Sequence, residues 1–283
     1  MEHGIIFVKK EVGMSSYDVI RVLKKTFNTN KIGHAGSLDP FASGLLIIGI
    51  NEGTKALPYI EEEYKEYIAE LELGTLTDTY DITGKVIKRN KPKKHSKEEI
   101  REVLNSFLGD ITQTPPIYSA IKFRGKPLYQ YARENKIINV KTRIQHIYDI
   151  RLIATYNHKI NFYVKCNKGT YIRSLGVDIA SKLKEYGTLS NLERIGIGKN
   201  KILNVKKVHL INKSHIKNIV DVLDMKKVEV KDSSLIKNGN PIKLKIQDDL
   251  VLITKKNKAL AIYEYNKNDK LYHCKRGFHY ADI

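Results

Sequence analysis

The segment GHAGSLDPFASGLLIIGI, residues 33–50, places a short turn-rich loop directly before an apolar run. Glycine, serine, aspartate and proline all favour turns, so the first half predicts a loop. The run LLIIGI at 45–50 has the length and composition of a buried strand. Asp39 precedes Pro40, and a proline biases the residue before it towards extended backbone. A turn alone would explain this composition, and the alternative is that the proline presets the direction of a functional carboxylate.

On both sides of this segment, strand and helix patterns follow each other along the chain. Residues 4–10 and 65–73 are predicted strands, and 15–27 is a predicted amphipathic helix capped by Ser15 or Ser16. Further candidates are a helix at 96–110 with a Ser96–Glu99 capping box, a helix at 170–187 ending at Gly187, paired strands at 142–156 and 159–167, and short strands at 228–231, 242–246, 250–255, 259–265 and 270–276. The last group predicts a small all-β module after about residue 225.

Composition excludes several protein classes. The 283 residues are 41% hydrophobic and 29% charged, which is ordinary for a globular chain, and the apolar runs are too short to cross a membrane. The N-terminal residues do not have the pattern of a signal peptide. Cys166 and Cys274 lie far apart without a CxxC partner, so neither a disulfide framework nor a zinc knuckle is expected. A reducing cytoplasm is the expected location.

The net charge of +19 favours a polyanionic partner, because basic side chains that neutralise phosphates release counterions. Lysine is far commoner than arginine, so part of this excess is attributable to compositional drift. The segment 85–97 is rich in Lys and Arg and has no acidic residue. A solvated loop is the favoured interpretation there, with RNA contact as the alternative.

Common catalytic motifs do not fit. GINEGTK at 49–55 lacks the spacing of a phosphate-binding loop. Ser37, His34 and Asp39 are too close in sequence for a hydrolase triad and lack a G-x-S-x-G elbow. No cluster at metal-ligand spacing is present in the sequence. The residues therefore point to chemistry without a cofactor or metal, or to a non-catalytic protein.

Four ordered motifs resemble the TruB family of tRNA pseudouridine synthases. They are the opening segment extended to Lys55, the N-terminal GIIFVKKEVGMSSYDVI, KEYIAELELGTLTDTYDITG at 65–84, and NKGTYIRSLGVDIA at 167–180. TPPIYSAIKFRGKPLYQYAR at 114–133 is similar to the RNA-binding thumb insertion of the stand-alone enzymes. The C-terminal module resembles a PUA domain through KNGNPI and its strand spacing.

The resemblance implies an α+β fold with a mixed, mostly antiparallel sheet flanked by helices. It implies a catalytic domain at 1–224 with a thumb insertion at about 109–136. A PUA-like RNA-binding barrel is expected at 225–283.

The resemblance also implies the site residues. Asp39 matches the essential catalytic aspartate, Tyr67 the tyrosine that packs on the target base and takes part in proton transfer, and Arg173 the arginine that pairs with the aspartate. His34 matches the histidine that helps to flip nucleotides. Lys55, Tyr171 and Leu192 match further substrate-binding positions. Gly33 and Gly36 are also expected at the site, because glycine lets the backbone approach the nucleic acid closely. At 192–200 the chain departs from the family pattern, with Glu193 and Ile195 where the family has Arg and Thr.

The implied activity is conversion of uridine 55 in the T-arm stem-loop of tRNA to pseudouridine. The enzyme is expected to be a monomer and to need no cofactor, metal or obligate protein partner. Two alternatives stay open. A guide-RNA-dependent relative would need protein and RNA partners, which the thumb-like segment argues against. A non-catalytic RNA chaperone would bind and remodel RNA without isomerising it.

Overall fold

The run at 45–50 forms most of a buried strand in the computed structural model, which describes residues 2–61, 64–134, 136 and 138–280. The strands are β1 (Gly4–Lys10), β2 (Ile32–Ala35), β3 (Ser43–Ile50), β4 (Lys65–Leu73), β5 (Thr75–Thr77), β6 (Val86–Arg89), β7 (Gly109–Gln113), β8 (Lys122–Phe123), β9 (Lys126–Pro127), β10 (Arg143–Tyr156), β11 (Lys159–Cys166), β12 (Gly187–Ile197), β13 (Asn200–Lys201), β14 (Lys226–Glu229), β15 (Leu250–Lys255), β16 (Lys258–Asn266) and β17 (Leu271–Gly277). The helices are α1 (Ser16–Phe27), α2 (Leu57–Glu61), α3 (Lys97–Asn105), α4 (Leu128–Arg133), α5 (Ile172–Lys182), α6 (Ile219–Val222) and α7 (Ser234–Lys237).

A large mixed sheet organises the first two thirds of the chain. Its strand order is β1-β3-β12-β4-β11-β10-β7, with β2 added beside β3 and β13 beside β12. Within the described part of the chain, the pairing of β12 with β3 is parallel and the other pairings of this sheet are antiparallel. The expected α+β fold with a mostly antiparallel sheet is confirmed.

After Ser43, β3 has no polar side chain because both of its faces are covered. Leu46 and Ile48 pack with Leu23 of α1 on one face. Leu45 and Ile47 lie in a second apolar cluster that also contains side chains from the C-terminal strands. A strand buried on both faces reads as a continuous hydrophobic run, which explains the segment that ends the opening motif.

The C-terminal residues form a separate four-stranded sheet in the order β14-β15-β16-β17. β14 runs parallel to β15, and the other two pairings are antiparallel. The predicted small module is thus present as a four-stranded sheet, but it also contains the short helix α7 between β14 and β15 and is not purely β. The predicted strand at 242–246 contributes one bridge, between Ile242 and Tyr272. Residues 281–283 of the predicted module lie outside the described residues, as does residue 135 of the predicted insertion.

Five local predictions are wrong or incomplete. The helix predicted at 96–110 ends at Asn105, and its last two positions belong to β7. Residues 33–35, predicted as loop, form β2 together with Ile32 by pairing with β3. Part of the segment 85–97, predicted as loop, forms the exposed strand β6. At the start of α3, Ser96 accepts from the backbone of Glu99, but the Glu99 carboxylate contacts His95 instead of completing a capping box. The helix predicted at 170–187 ends at Lys182 and is followed by a new strand.

No helix among the described residues is long and apolar enough to cross a membrane.

Candidate active site

The loop that carries Asp39 is fixed by the N-terminus of α1. Ser16 is buried, and its hydroxyl accepts from the backbone N–H of Leu38 (2.9 Å) and lies 3.2 Å from the Leu38 carbonyl. On the other side of Asp39, the Pro40 carbonyl accepts from the N–H of Gly13 at 2.8 Å. Both neighbours of Asp39 are therefore tied to the fold by hydrogen bonds.

Asp39 forms an ion pair with Arg173 of α5. The Arg173 Nε lies 2.8 Å from Oδ2 of Asp39, and Nη2 lies 3.3 Å from Oδ1. The guanidinium, of which 4% is exposed, also donates to the carbonyls of Thr79 (2.7 Å) and Tyr118 (2.8 Å). A second carboxylate, that of Asp81, lies 3.5 Å from Nη1. Arg173 is therefore held by four partners, and its direction is fixed before any substrate binds.

Burial raises the pKa of the Asp39 carboxyl above its ordinary value of 3.8, and the neighbouring charge of Asp81 adds to the rise, while Arg173 opposes it. The Asp39 side chain nevertheless keeps 40% of its surface exposed. Both observations agree, because the carboxylate lies deep among protein atoms and opens onto a cavity rather than onto bulk solvent.

That cavity has a volume of about 290 Å³ and is lined by both polar and apolar side chains. Its lining residues are Gly36, Ser37, Leu38, Asp39, Lys65, Tyr67, Ser119, Ala120, Lys168, Gly169, Thr170, Tyr171, Ile172, Arg173, Leu192 and Arg194. Asp39 is the one carboxylate in this set. An aromatic wall, a fixed anion and several cations suit a site for a planar base attached to a phosphodiester.

Tyr67 lies on β4 and is 7% exposed. Burial raises the pKa of its hydroxyl to about 12, although the Arg194 guanidinium acts on it as a hydrogen-bond partner and favours the ionised form. Arg194 lies opposite Tyr67 on the neighbouring strand β12. At neutral pH the Tyr67 side chain is therefore a protonated phenol.

Comparison with known proteins identifies the family. The model of the TruB family pseudouridylate synthases, N-terminal domain, matches residues 24–172. The chain is 38% identical over 278 residues to the tRNA pseudouridine synthase B of Mesoplasma florum, which covers 97% of each chain. It is 39% identical over 272 residues to the enzyme of the same name from Clostridium tetani, covering 94% and 93%. This chain belongs to the TruB family.

The fold agrees with this membership. A chain in the crystal structure of a Cbf5-Nop10-Gar1 complex superposes with a TM-score of 0.74 and covers 99% of the present chain and 86% of its own. The sequence identity is 23%, so the likeness concerns the fold.

Nine site positions are predicted from the sequence, and the structure gathers six of them around the cavity. These are Gly36, Asp39, Tyr67, Tyr171, Arg173 and Leu192. Gly36 has a φ of +68°, a conformation that glycine adopts without strain. Leu192 lines the cavity although the residues beside it depart from the family pattern.

The other three positions lie outside the cavity lining. Gly33 and His34 are in β2, opposite Gly49 and Ile48 of β3. The Lys55 ammonium contacts the carboxylate of Glu52 at 2.6 Å and the carbonyl of Gly277 at 3.0 Å. Contact of these three residues with substrate stays a prediction.

The buried cations near the site that were not predicted include Lys65, which lines the cavity, together with Arg194 and Lys10. Arg194 is 1% exposed, and Lys10, at the end of β1, is fully buried with a pKa lowered to about 8, chiefly by burial. The burial of Arg194 could have been predicted from the sequence, because Arg194 lies two residues after the buried Leu192 and therefore on the same face of β12. A charged residue on the apolar face of a strand is unusual and marks a specific role. Lys10 ends an otherwise unremarkable strand pattern.

Within the described part of the chain, no group of three or more His, Cys, Asp or Glu side chains is arranged to hold a metal ion.

Proposed function

We propose that this chain isomerises uridine 55 in the T-arm loop of tRNA to pseudouridine, as a stand-alone enzyme that needs no cofactor. Its membership of the TruB family and its similarity to tRNA pseudouridine synthase B over 97% of the chain support the activity. The observation that carries the site assignment is the Asp39–Arg173 ion pair on the wall of a cavity that also contains Tyr67.

The reaction is an intramolecular rearrangement. The bond between C1′ of the ribose and N1 of uracil breaks, a bond between C1′ and C5 forms, and in the net change the proton of C5 is replaced by one at N1. Nothing is oxidised, reduced or hydrolysed. Attack of a carboxylate on the sugar, attack on the base ring and elimination through a glycal all require an ionised carboxylate beside the nucleoside. Asp39 is that group.

Arg173 favours the ionised form of the Asp39 carboxyl, which the reaction needs at neutral pH. Burial favours the protonated carboxyl, and entry of a nucleoside would remove more water from it. The guanidinium counteracts this effect by stabilising the carboxylate, and its further bonds to Thr79 and Tyr118 hold it in place. The same contacts align Asp39 with the cavity before substrate enters, so that little reorganisation is needed.

Tyr67 acts here as an aromatic wall with a neutral hydroxyl. With a pKa of about 12, its phenolate is scarce at pH 7. The ring offers a stacking surface for the flipped base, and extrusion of that base costs a few kcal/mol that stacking and phosphate contacts offset. His34 remains the proposed side chain for the space that the base leaves.

The thumb-like segment supports substrate binding by the isolated protein. Ser119 and Ala120 line the cavity, and the Tyr118 carbonyl accepts from Arg173. These contacts support the proposal that the insertion at about 109–136 takes part in binding RNA beside the cavity. We include in the proposal the catalytic domain at 1–224, a PUA-like RNA-binding module at 225–283 and a monomeric enzyme.

The test is release of tritium from 5-labelled uridine in a T-arm stem-loop by the purified protein alone. Asp39→Asn and Asp39→Ala are expected to abolish release while tRNA affinity stays within about threefold, because the carboxylate acts on the reacting atoms rather than on the phosphates. Since burial raises the Asp39 pKa, the ionised form opposes folding at pH 7, and Asp39→Asn should unfold at an equal or higher temperature.

Asp178→Asn is the matched control. Asp178 is a partly buried carboxyl on α5 whose pKa burial raises to about 6, and it does not line the cavity. The control variant should release tritium at the wild-type rate. Turnover by both Asp39 variants would refute the site assignment. A wild-type protein that needs a guide RNA, or that remodels RNA without release, would support one of the two alternatives.

A further inference from the structure

A single buried guanidinium connects the two sides of the cavity. Arg194 Nε donates to the Leu45 carbonyl at 2.8 Å, Nη2 to the Gly36 carbonyl at 3.0 Å and Nη1 to the Ser37 carbonyl at 3.3 Å. Gly36 and Ser37 belong to the loop that presents Asp39, and Leu45 belongs to β3. Arg194 thus fixes the backbone that leads into the catalytic aspartate.

The same residue reaches the opposite wall. β12 lies between β3 and β4, and in the strand register Arg194 faces Gly44 on one side and Tyr67 on the other. Its guanidinium is a hydrogen-bond partner of the Tyr67 hydroxyl. The strands approach closely at this point, because a Cβ on Gly44 would lie 2.3 Å from the Arg194 carbonyl oxygen.

We propose that Arg194 is a positioning residue that couples the Asp39 loop to Tyr67, so that carboxylate and aromatic wall keep one relative geometry during isomerisation. This inference rests on the proposed function. Its role is distinct from that of Arg173, which pairs with the Asp39 carboxylate itself. Arg194 contacts the backbone of the loop and the second wall residue.

The chemistry of the guanidinium explains why arginine occupies this position. Its N–H groups diverge in a rigid plane and can serve several acceptors at once, whereas a lysine ammonium is a compact charge on a flexible stem. A guanidinium has no acceptor, so in the contact with Tyr67 the phenol oxygen accepts. The phenolic hydrogen is thereby directed away from Arg194 and is available to a group in the cavity.

The experiment measures single-turnover pseudouridine formation and tRNA affinity for wild type, Arg194→Lys, Tyr67→Phe and the double variant. Arg194→Lys keeps the positive charge and loses the planar set of N–H donors. We expect its rate to fall by about 100-fold with affinity within about threefold, because misplacement of reacting groups by roughly an ångström costs that much in rate. In the double variant the two effects should not multiply, because both variants break the same connection.

Glu185→Gln is the control for a purely structural effect. Glu185 is 6% exposed, accepts from the backbone of Lys93 at 2.9 Å, and lies outside the cavity lining. Its loss should lower the unfolding temperature and leave the single-turnover rate per folded molecule unchanged. Arg194→Gln, which keeps an NH2 donor without a buried charge, replaces Arg194→Lys if the lysine variant does not fold, and its rate is expected to fall similarly.

The outcomes separate this inference from the proposed function. An inactive wild type, or an active Asp39→Ala, would count against the function. With wild type active and Asp39→Ala inactive, a folded Arg194 variant within about threefold of the wild-type rate would overturn the positioning role. So would multiplicative effects with Tyr67→Phe, or a rate loss that follows unfolding as in a purely destabilised protein.

Discussion

At the scale of single residues, the site concentrates buried charge around one carboxylate. Arg173 contacts Asp39 directly, Arg194 holds its loop, and Lys10 interacts electrostatically with both Asp39 and Arg194. Removing charges from water opposes folding unless partners compensate fully. This arrangement therefore favours preorganisation of the site over maximal stability of the fold.

The free-energy cost of burying a charge can be measured at Lys10, through the pH dependence of the free energy of unfolding. Its ammonium donates to the carbonyl of Met14 at 2.6 Å, but burial lowers its pKa from 10.5 to about 8. Between these two pH values the unfolded chain keeps a proton that the folded chain has released, so stability rises with pH across this window. The rise from Lys10 should reach at most about 3 kcal/mol and should be missing in Lys10→Met.

Urea unfolding at pH 8 and pH 10 measures the effect. Lys9→Met is the neighbouring control, because the Lys9 side chain is 40% exposed and pairs with Glu193 at the surface. The Lys9 variant should keep the pH dependence of the wild type. Equal pH slopes for wild type and Lys10→Met would contradict the prediction.

At the scale of elements, sequence patterns correctly predicted the strands and helices that are determined by the burial and capping of their own residues. The alternation at 65–73 is β4, and the Ser15 cap begins α1. Predictions failed where contact with a segment distant in sequence determines the secondary structure. Residues 33–35 begin the turn-rich loop predicted from the sequence, yet with Ile32 they form β2 because they pair with β3. Gly187 has the composition of a helix C-cap, yet it begins β12 and packs under α5.

Residue 187 is glycine because the packing of α5 on the sheet leaves no room for a Cβ there. A Cβ there would lie 2.4 Å from the Ala180 Cβ and 2.9 Å from Cδ1 of Leu71, so helix and sheet would have to separate. Gly187→Ala should therefore lower the free energy of unfolding by about 1–3 kcal/mol, the usual range for overpacking.

The control is Gly196→Ala in the same strand. A Cβ at Gly196 would meet Cδ of Lys201 at 3.2 Å, and this flexible side chain can move. Chemical denaturation of both variants checks the comparison. A Gly187→Ala variant as stable as Gly196→Ala would show that α5 adjusts freely over the sheet.

At the scale of the whole molecule, the two sheets share a core. Ile5 and Ile47 of the large sheet lie in one apolar cluster with Leu252 and Ile262 of the small one. Patterns within each strand predicted both sheets, but not that their apolar faces meet. The site shows the same limit, since Asp39 and Arg173 are 134 positions apart and a family resemblance, rather than periodicity, predicted their pairing.

Glu52 is the polar centre of this junction. Its carboxylate, 5% exposed, accepts from Lys55 (2.6 Å), Lys31 (2.9 Å) and the backbone N–H of His279 (2.7 Å). Burial alone would raise its pKa, but these hydrogen bonds outweigh burial and lower the pKa from 4.5 to about 2. The ionised carboxylate therefore stabilises the fold above pH 4.5, and this contribution is lost as the pH falls towards 2.

Glu52→Gln should lower the free energy of unfolding at pH 7 by up to about 3 kcal/mol and flatten its dependence on pH between 4.5 and 2. The Gln amide offers one acceptor oxygen in place of two, so the contacts to Lys31, Lys55 and His279 cannot all be kept, and the segment around His279 should become more sensitive to limited proteolysis. Glu264→Gln is the control, because that side chain is 50% exposed and its pairing with Lys275 lies at the surface. If both variants lose the same stability, Glu52 does not hold the two sheets together, and the shared apolar cluster alone must do so.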